Sequence, residues 1–428
     1  MEGFEKSVSR RQVLYGMGAA AMVGLLSACG QPNTPADVSA TDTPGATQNP
    51  QQPKPSAEQY RAMWLSYLDW HLVDFSSQSA FEASFETVLE KCQSMGLNTL
   101  IAQVRPFGDA LYKSALFPWS HICTGTRGKD PGFDPLDCMV RLCHERSISL
   151  EAWVNPYRLR LNSKTPAEFA ENDLANTHPE WCVTVEGGVY LNPAEPAAAD
   201  YVVQGVTEIL EHYAVDGIHF DDYFYPTTEP WIDEAQYAAK SSSTSLEEWR
   251  RSNVTELVRK TRDAIKAKDP TLRFGISPQG NPDNNYQQQY SDVSAWMNGA
   301  DGPLVDYICP QVYWGYGYQL KSGSTRFAYE NITKEWLEMP RHEACDLYFG
   351  LGVYRIGKGD GGANPDSETQ WQSGHQLADM VADLTEGGAD GYGLFRYEFV
   401  AASPYPELAD AECSALAEKN REIDTQQG

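Results

Sequence analysis

Asp221 and Asp222 stand side by side in the segment D-G-I-H-F-D-D-Y-F-Y-P (216–226), and a third acid, Glu398, closes the run F-R-Y-E (395–398). Carboxylates so placed suit acid/base chemistry. Cleaving a glycosidic bond takes one carboxylic acid to protonate the leaving oxygen and a second carboxylate as nucleophile or base. Side chains alternate along a strand, so His219 and Asp221 share one face while Ile218 and Phe220 share the other. The apolar pair suits a helix-covered face, which leaves His219 and Asp221 for the interior. Asp222 falls where strand gives way to loop; it is catalytic, or holds the site, or caps the following turn. The partner acid stays open among Glu398, Asp69 and Asp109, and a substrate's own acetamido group is a further alternative to a protein nucleophile.

Other candidates follow apolar runs in the same way: Arg105, Asn155 with Tyr157 and Arg158, Tyr223, Gln279, Gln311, and Tyr313 with Trp314. Pyranose rings stack on aromatic faces and their hydroxyls bond planar polar groups, so these residue types suit a sugar site. Arg105, Asn155 and Arg158 read as substrate positioning or as structural anchors, and Tyr313 and Trp314 as stacking platforms or as core. His219 reads as a hydrogen-bonding partner of the carboxylates, because no second histidine lies near it to make a metal pair. This chemistry needs no cofactor and no metal.

The elements that must carry these groups repeat one unit, a β-branched and aromatic run followed by an amphipathic helix. Strand candidates are 61–69, 98–105, 149–155, 217–222, 272–278, 306–313, 347–355 and 390–397. Helical spacing is seen in Leu136, Met139, Val140 and Cys143, and again in Val202, Val206, Ile209 and Tyr213. Eight strands alternating with helices predict an α/β chain closed as a (β/α)8 TIM barrel over 59–412, a single catalytic domain with enlarged βα loops, followed by a polar tail at 413–428. A doubly wound open sheet is the runner-up, but no G-x-G-x-x-G turn follows an early strand. In a barrel the site is built at the carboxyl ends of the strands, where all the candidates above fall.

The segments Q-V-R-P-F-G-D-A-L-Y (103–112), W-V-N-P-Y-R-L (153–159), 216–226, S-P-Q-G-N (277–281) and D-Y-I-C-P-Q-V-Y-W-G (306–315) resemble the glycosyl-hydrolase-like lipoproteins. That resemblance covers 59–400 in order, and 216–226 is its most specific part. It implies a (β/α)8 glycosidase fold and activity on a cell-envelope glycan, since some members cleave peptidoglycan strands stripped of their stem peptides.

The amino terminus reads as an address. Lys6, Arg10 and Arg11 precede an uncharged run, Val13 to Ala28, too short for the ~20 residues of a membrane span. Leu26-Ser27-Ala28-Cys29 resembles a lipobox, so 1–28 is expected to be a lipoprotein signal peptide and Cys29 the lipidated residue. Arg10-Arg11 also resembles a twin-arginine signal. Residues 29–58, rich in Gln, Pro, Thr, Ala and Asp, read as a disordered tether. The chain would then be exported and held at the cell membrane by its lipid alone, facing the wall or periplasm.

With 59 Asp and Glu against 33 Lys and Arg, the net charge of −26 repels polyphosphate, which excludes nucleic acid as a partner. The expected partner is a polysaccharide, a peptidoglycan strand or related N-acetylated glycan. Eight cysteines besides Cys29 permit disulfides in an exported protein, and several read as buried free thiols. Two other functions stay open: a barrel that binds glycan at the wall without cutting it, and a solute-capture lipoprotein.

Overall fold

A computed structural model describes residues 59–427, apart from 165, 167, 241 and 242. The expected signal peptide, Cys29 and tether lie outside the described residues. Eight parallel strands form the frame: β1 (Tyr60–Leu65), β2 (Thr99–Arg105), β3 (Ser149–Val154), β4 (Gly217–Phe220), β5 (Arg273–Ile276), β6 (Tyr307–Ile308 and Gln311–Val312), β7 (Asp346–Gly352) and β8 (Gly391–Phe395). Each pairs with the next, and β1 pairs with β8 with Tyr60 opposite Gly391, so the sheet closes into a barrel as the sequence predicts. Proline at 310 has no N–H for a ladder, and β6 is accordingly two short pieces, both paired to β7.

Alternation along the strands divides two cores. Tyr60, Ala62 and Trp64 of β1 turn inward with Ile101, Trp153, Tyr307 and Tyr348, while Met63 and Leu65 face the helices. The lumen is packed solid: Tyr60 stacks on Tyr348 with ring centroids 4.1 Å apart. Gly275 in β5 makes room for this, because a Cβ there would lie 1.8 Å from the Tyr307 ring.

The outer layer runs α1 (Gln78–Ser94), α2 (Pro135–Glu145), α3 (Pro196–His212), α4 (Leu246–Lys268), α5 (Val293–Met297), α6 (Tyr329–Leu337), α7 (Gln376–Glu386) and α8 (Pro406–Gln427), one after each strand. Their starts are written in sequence. Asp134 caps Leu136 and Asp137 with Pro135 in the first turn, and Ser245 with Glu248 forms a capping box. Between β3 and α3 the chain folds a small antiparallel sheet of Arg158–Arg160, Cys182–Val185 and Gly188–Leu191.

The expected polar tail from 413 is instead most of α8. Ala409, Glu412, Cys413, Leu416, Ala417, Asn420 and Ile423 are buried at helical spacing. Polar members in that stripe hide it: Asn420 donates to the Met95 carbonyl at 2.7 Å, and Glu412 accepts the Gln376 and Leu377 amides that open α7. The eight described cysteines are free thiols, Cys182 half-buried and the others buried.

Candidate active site

The aspartates sit at the mouth of β4. Asp221 is 4% exposed and accepts from the Trp153 indole at 3.3 Å, the Asn155 amide at 2.9 and 3.2 Å, and the Tyr223 backbone N–H at 3.1 Å. Three donors thus meet this carboxylate, the Asn155 amide bridging both oxygens. Asp222 is half-buried and accepts one amide on each oxygen, from Gln311 at 3.0 Å and Gln279 at 3.1 Å, which leaves acceptor capacity on both. Burial, then the charge of Asp222, raises the Asp221 carboxyl to about 6, and burial raises Asp222 as well. Two adjacent acids in one desolvated place favour a single negative charge, so below about pH 6 the pair holds one proton between them.

Arg158 opposes that trend. Its guanidinium lies 4.8 Å from the Tyr223 ring, 5.0 Å from Phe107 and 5.3 Å from Tyr67, and its Nε donates to the Pro106 carbonyl. Its charge lowers both aspartates. Tyr313 is buried beside the pair, stacked on Phe395 at 5.3 Å. Trp314 is half-buried, stacked on Phe327 at 5.1 Å, and a Cβ on Gly280 would lie 2.8 Å from its ring, which places it next to Gln279.

His219 is on the predicted inward face but bonds no carboxylate. Two residues along a strand is roughly 7 Å, so it lies a layer deeper. It is bonded there to Tyr307 at 2.7 Å, Ser277 at 3.0 Å and Trp64 at 3.3 Å. Burial drives its pKa down to about 3, and the imidazole is neutral.

Other expected site residues have partners outside the aspartate pair. A register shift between Gln103 and Arg105 puts Arg105 opposite outward-facing Val154, where an unbroken register would set it opposite Asn155. Its guanidinium therefore packs 4.4 Å from Phe117 beneath α3, not at the mouth. Asp109 is fully buried between Arg127 at 3.1 Å and His121 at 3.7 Å. Burial, the largest single effect, would raise its pKa; Arg127, His121 and Ser120 together outweigh it and hold the carboxyl below its usual value. Tyr157 is enclosed in the apolar wall. Asp69 and Glu398 do meet, both ion-paired to Arg396, and the Glu398 N–H donates to Asp69 at 2.9 Å. This cluster ties β1 to β8; Ser66 donates to Asp69 through its N–H at 2.7 Å and its hydroxyl at 2.6 Å, and His71 lies 3.8 Å from Glu398.

Sequence reasoning overlooked Trp153, although it shares a strand face with Asn155, and Gln103, whose oxygen accepts the Tyr67 N–H at 2.8 Å. Parity counting in W-V-N would have found Trp153, and counting on from inward-facing Ile101 would have found Gln103.

Residues 59–372 match the family described as Glycosyl hydrolase-like 10. "Glycosyl hydrolase YngK" of Bacillus subtilis is 34% identical over 70% of this chain, which spans 62% of that protein's length. "Glycosyl hydrolase DigH" of Escherichia coli is 30% identical over 82% of this chain and 86% of its own. Among solved structures, an alpha-L-fucosidase isoenzyme 2 from Paenibacillus thiaminolyticus superposes with TM-score 0.51 at 17% identity, covering 86% of this chain and 50% of that one. The PgaB (BpsB) glycoside hydrolase domain from Bordetella bronchiseptica gives 0.51 at 11% identity, covering 84% and 99%. Those likenesses concern the barrel; the family match spans both barrel and aspartates, and the chain belongs to the glycosyl hydrolase-like 10 family.

Proposed function

We propose that this protein is a lipid-anchored, exported glycoside hydrolase that cleaves peptide-free peptidoglycan strands. The observation that carries the reading is the Asp221–Asp222 pair at the barrel mouth, framed by amide, indole and aromatic groups. Asp222, with lone pairs to spare, touches the substrate: the pair's proton passes to the leaving oxygen as the C1–O bond breaks, and the remaining charge then takes a proton from the attacking water. Asp221, held by three donors, is a positioning residue that tunes its neighbour. Arg396 engages Glu398, which leaves proton transfer to the aspartates.

Purified protein incubated with peptide-free strands should generate new reducing ends. Their absence on these strands and on other N-acetylated glycans would sink the reading. A second reading, a barrel that binds glycan without cutting, draws on the three donors already engaged by Asp221; glycan binding by the parent without turnover would favour it. The anchor rests on the sequence around Cys29, and loss of metabolic fatty-acid labelling in Cys29→Ala tests it.

A further inference from the structure

The two amides that hold Asp222 are themselves held. Gln279 follows β5, and the short helix Pro282–Gln287 turns back onto it. The buried Asn285 side chain grips its backbone on both sides: Oδ1 accepts the Gln279 N–H at 2.9 Å, and Nδ2 donates to the Gln279 carbonyl at 2.8 Å. From the same helix Asn284 Nδ2 donates to Gln279 Oε1 at 3.3 Å. Gln279 Nε2 donates to Asp222 Oδ2 at 3.1 Å, so all four polar atoms of Gln279 have partners. Gln311 is fixed from the other side, where its Nε2 donates both to Asp222 Oδ1 at 3.0 Å and to the Ser277 carbonyl at 2.9 Å.

These contacts decide which way each amide points. A carboxylate and a carbonyl only accept, so the Gln311 atom shared by Asp222 and Ser277 is nitrogen. The same rule gives Asp222 the Gln279 nitrogen, and the Asn284 amide answers the oxygen left over. An amide N–H stabilises the charged carboxylate and not the neutral acid. With the helix contacts gone, Gln279 is free to turn its donor away, and the pair keeps its proton to higher pH. The titratable groups facing the pair are Arg158 after β3 with Tyr67 stacked on it, Tyr223 after β4 and Tyr313 after β6, with His219 a layer below. On the helix itself Asp283 is exposed and paired with Arg326. Asn285 and Asn284 carry no charge, so replacing them alters none of these groups.

We propose that Asn285 is a positioning residue for proton transfer at Asp222, acting through Gln279 and assisted by Asn284. The role in turnover rests on the glycosidase reading; the titration that tests it does not. Asn285→Ala and Asn284→Ala are compared with the parent and with Asn420→Ala. Asn420 is a buried asparagine of α8 that donates to the Met95 carbonyl at 2.7 Å and to the hydroxyl of Tyr392, near the start of β8, at 2.8 Å. In protein carrying 13C at its aspartate carboxyls, the step of the pair at about 6 should move up by about one unit in Asn285→Ala and about half a unit in Asn284→Ala. It should stay in place in Asn420→Ala. On peptide-free strands Asn285→Ala should lower kcat about tenfold, keep KM within about twofold, and carry the alkaline limb upward with the titration. Asn284 is exposed, so its variant decides the matter if Asn285→Ala does not fold. A step unmoved in both helix variants, an equal move in Asn420→Ala, or a moved step with unchanged kcat would overturn the positioning role. Absence of turnover by the parent on every strand would instead overturn the hydrolase reading, while the titration still decides whether Asn285 governs Asp222.

Discussion

The division of labour between two neighbouring aspartates is decided by hydrogen-bond capacity. Asp221 has three N–H donors, one of them bridging both oxygens, and Asp222 has two, so Asp222 has the more room to accept or deliver a proton. Asp222→Asn should lower kcat on peptide-free strands by about a thousandfold while the far-ultraviolet spectrum stays that of the parent. Turnover should fall as pH rises through about 6, where the pair loses its shared proton. The same shift has a sign for stability. The folded value lies above the unfolded one, so stability from this group is full at low pH and declines as pH rises from about 4 to about 6. Arg158 lowers both aspartates, so Arg158→Gln should move the alkaline limb of the pH–rate profile upward by about one unit. A profile unmoved by that change would show that the limb belongs to another group.

The bulge in β2 illustrates what an element adds to its residues. It turns Arg105 out of the lumen and under α3, where a Cβ on Gly205 would lie 2.0 Å from the guanidinium. Arg105→Ala should therefore cost about 2–4 kcal/mol in denaturant unfolding while kcat/KM stays within about twofold of the parent. A collapse of kcat/KM without loss of stability would return Arg105 to the site. All eight strands and the inward face of β4 were legible because branched and aromatic runs alternate with helical stripes, and the lumen imposes strict parity. Parity is a local rule, and one inserted residue defeats it: nothing in Q-V-R-P announces the shift that separates Arg105 from Gln103. The roles of Asp109 and Glu398 were illegible for a different reason. Arg127 and Arg396, which bind them, are ion-pair partners chosen by the fold, since Arg396 joins Asp69 across 327 positions of sequence. In α8 the polar residues that mimic a tail are bonded to distant elements, Arg61 to Asp424 and Asn420 to Tyr392. Ending the chain after 412 should strip Leu416 and Ile423 from the core and leave a protein that unfolds below the parent's midpoint or is insoluble.

At the scale of the whole molecule the net charge of −26 sets a condition on the proposed substrate. Peptide-free peptidoglycan carries a carboxylate on alternate sugars, so the bulk field opposes its approach. Only a converging basic cluster could reverse that. The arginines at the strand ends do not form one: Arg105 lies in the wall, Arg396 is neutralised by Asp69 and Glu398, and Arg355 donates to the Tyr313 carbonyl with its guanidinium 4.8 Å from Tyr354. Arg158 alone stands beside the aspartates, caged by rings and spent on lowering their pKa values. Binding must then come from stacking and neutral hydrogen bonds at short range, against a long-range repulsion that salt removes. The Debye length falls from about 30 Å at 0.01 M salt to about 8 Å at 0.15 M, short enough to hide most surface carboxylates from an arriving strand. kcat/KM on lactyl-bearing strands should accordingly rise several-fold over that range through KM, while a neutral chitin oligosaccharide shows no such rise. A fall in kcat/KM with salt would mean that the approach is steered by attraction, and that a basic surface outside the four arginines recruits the glycan.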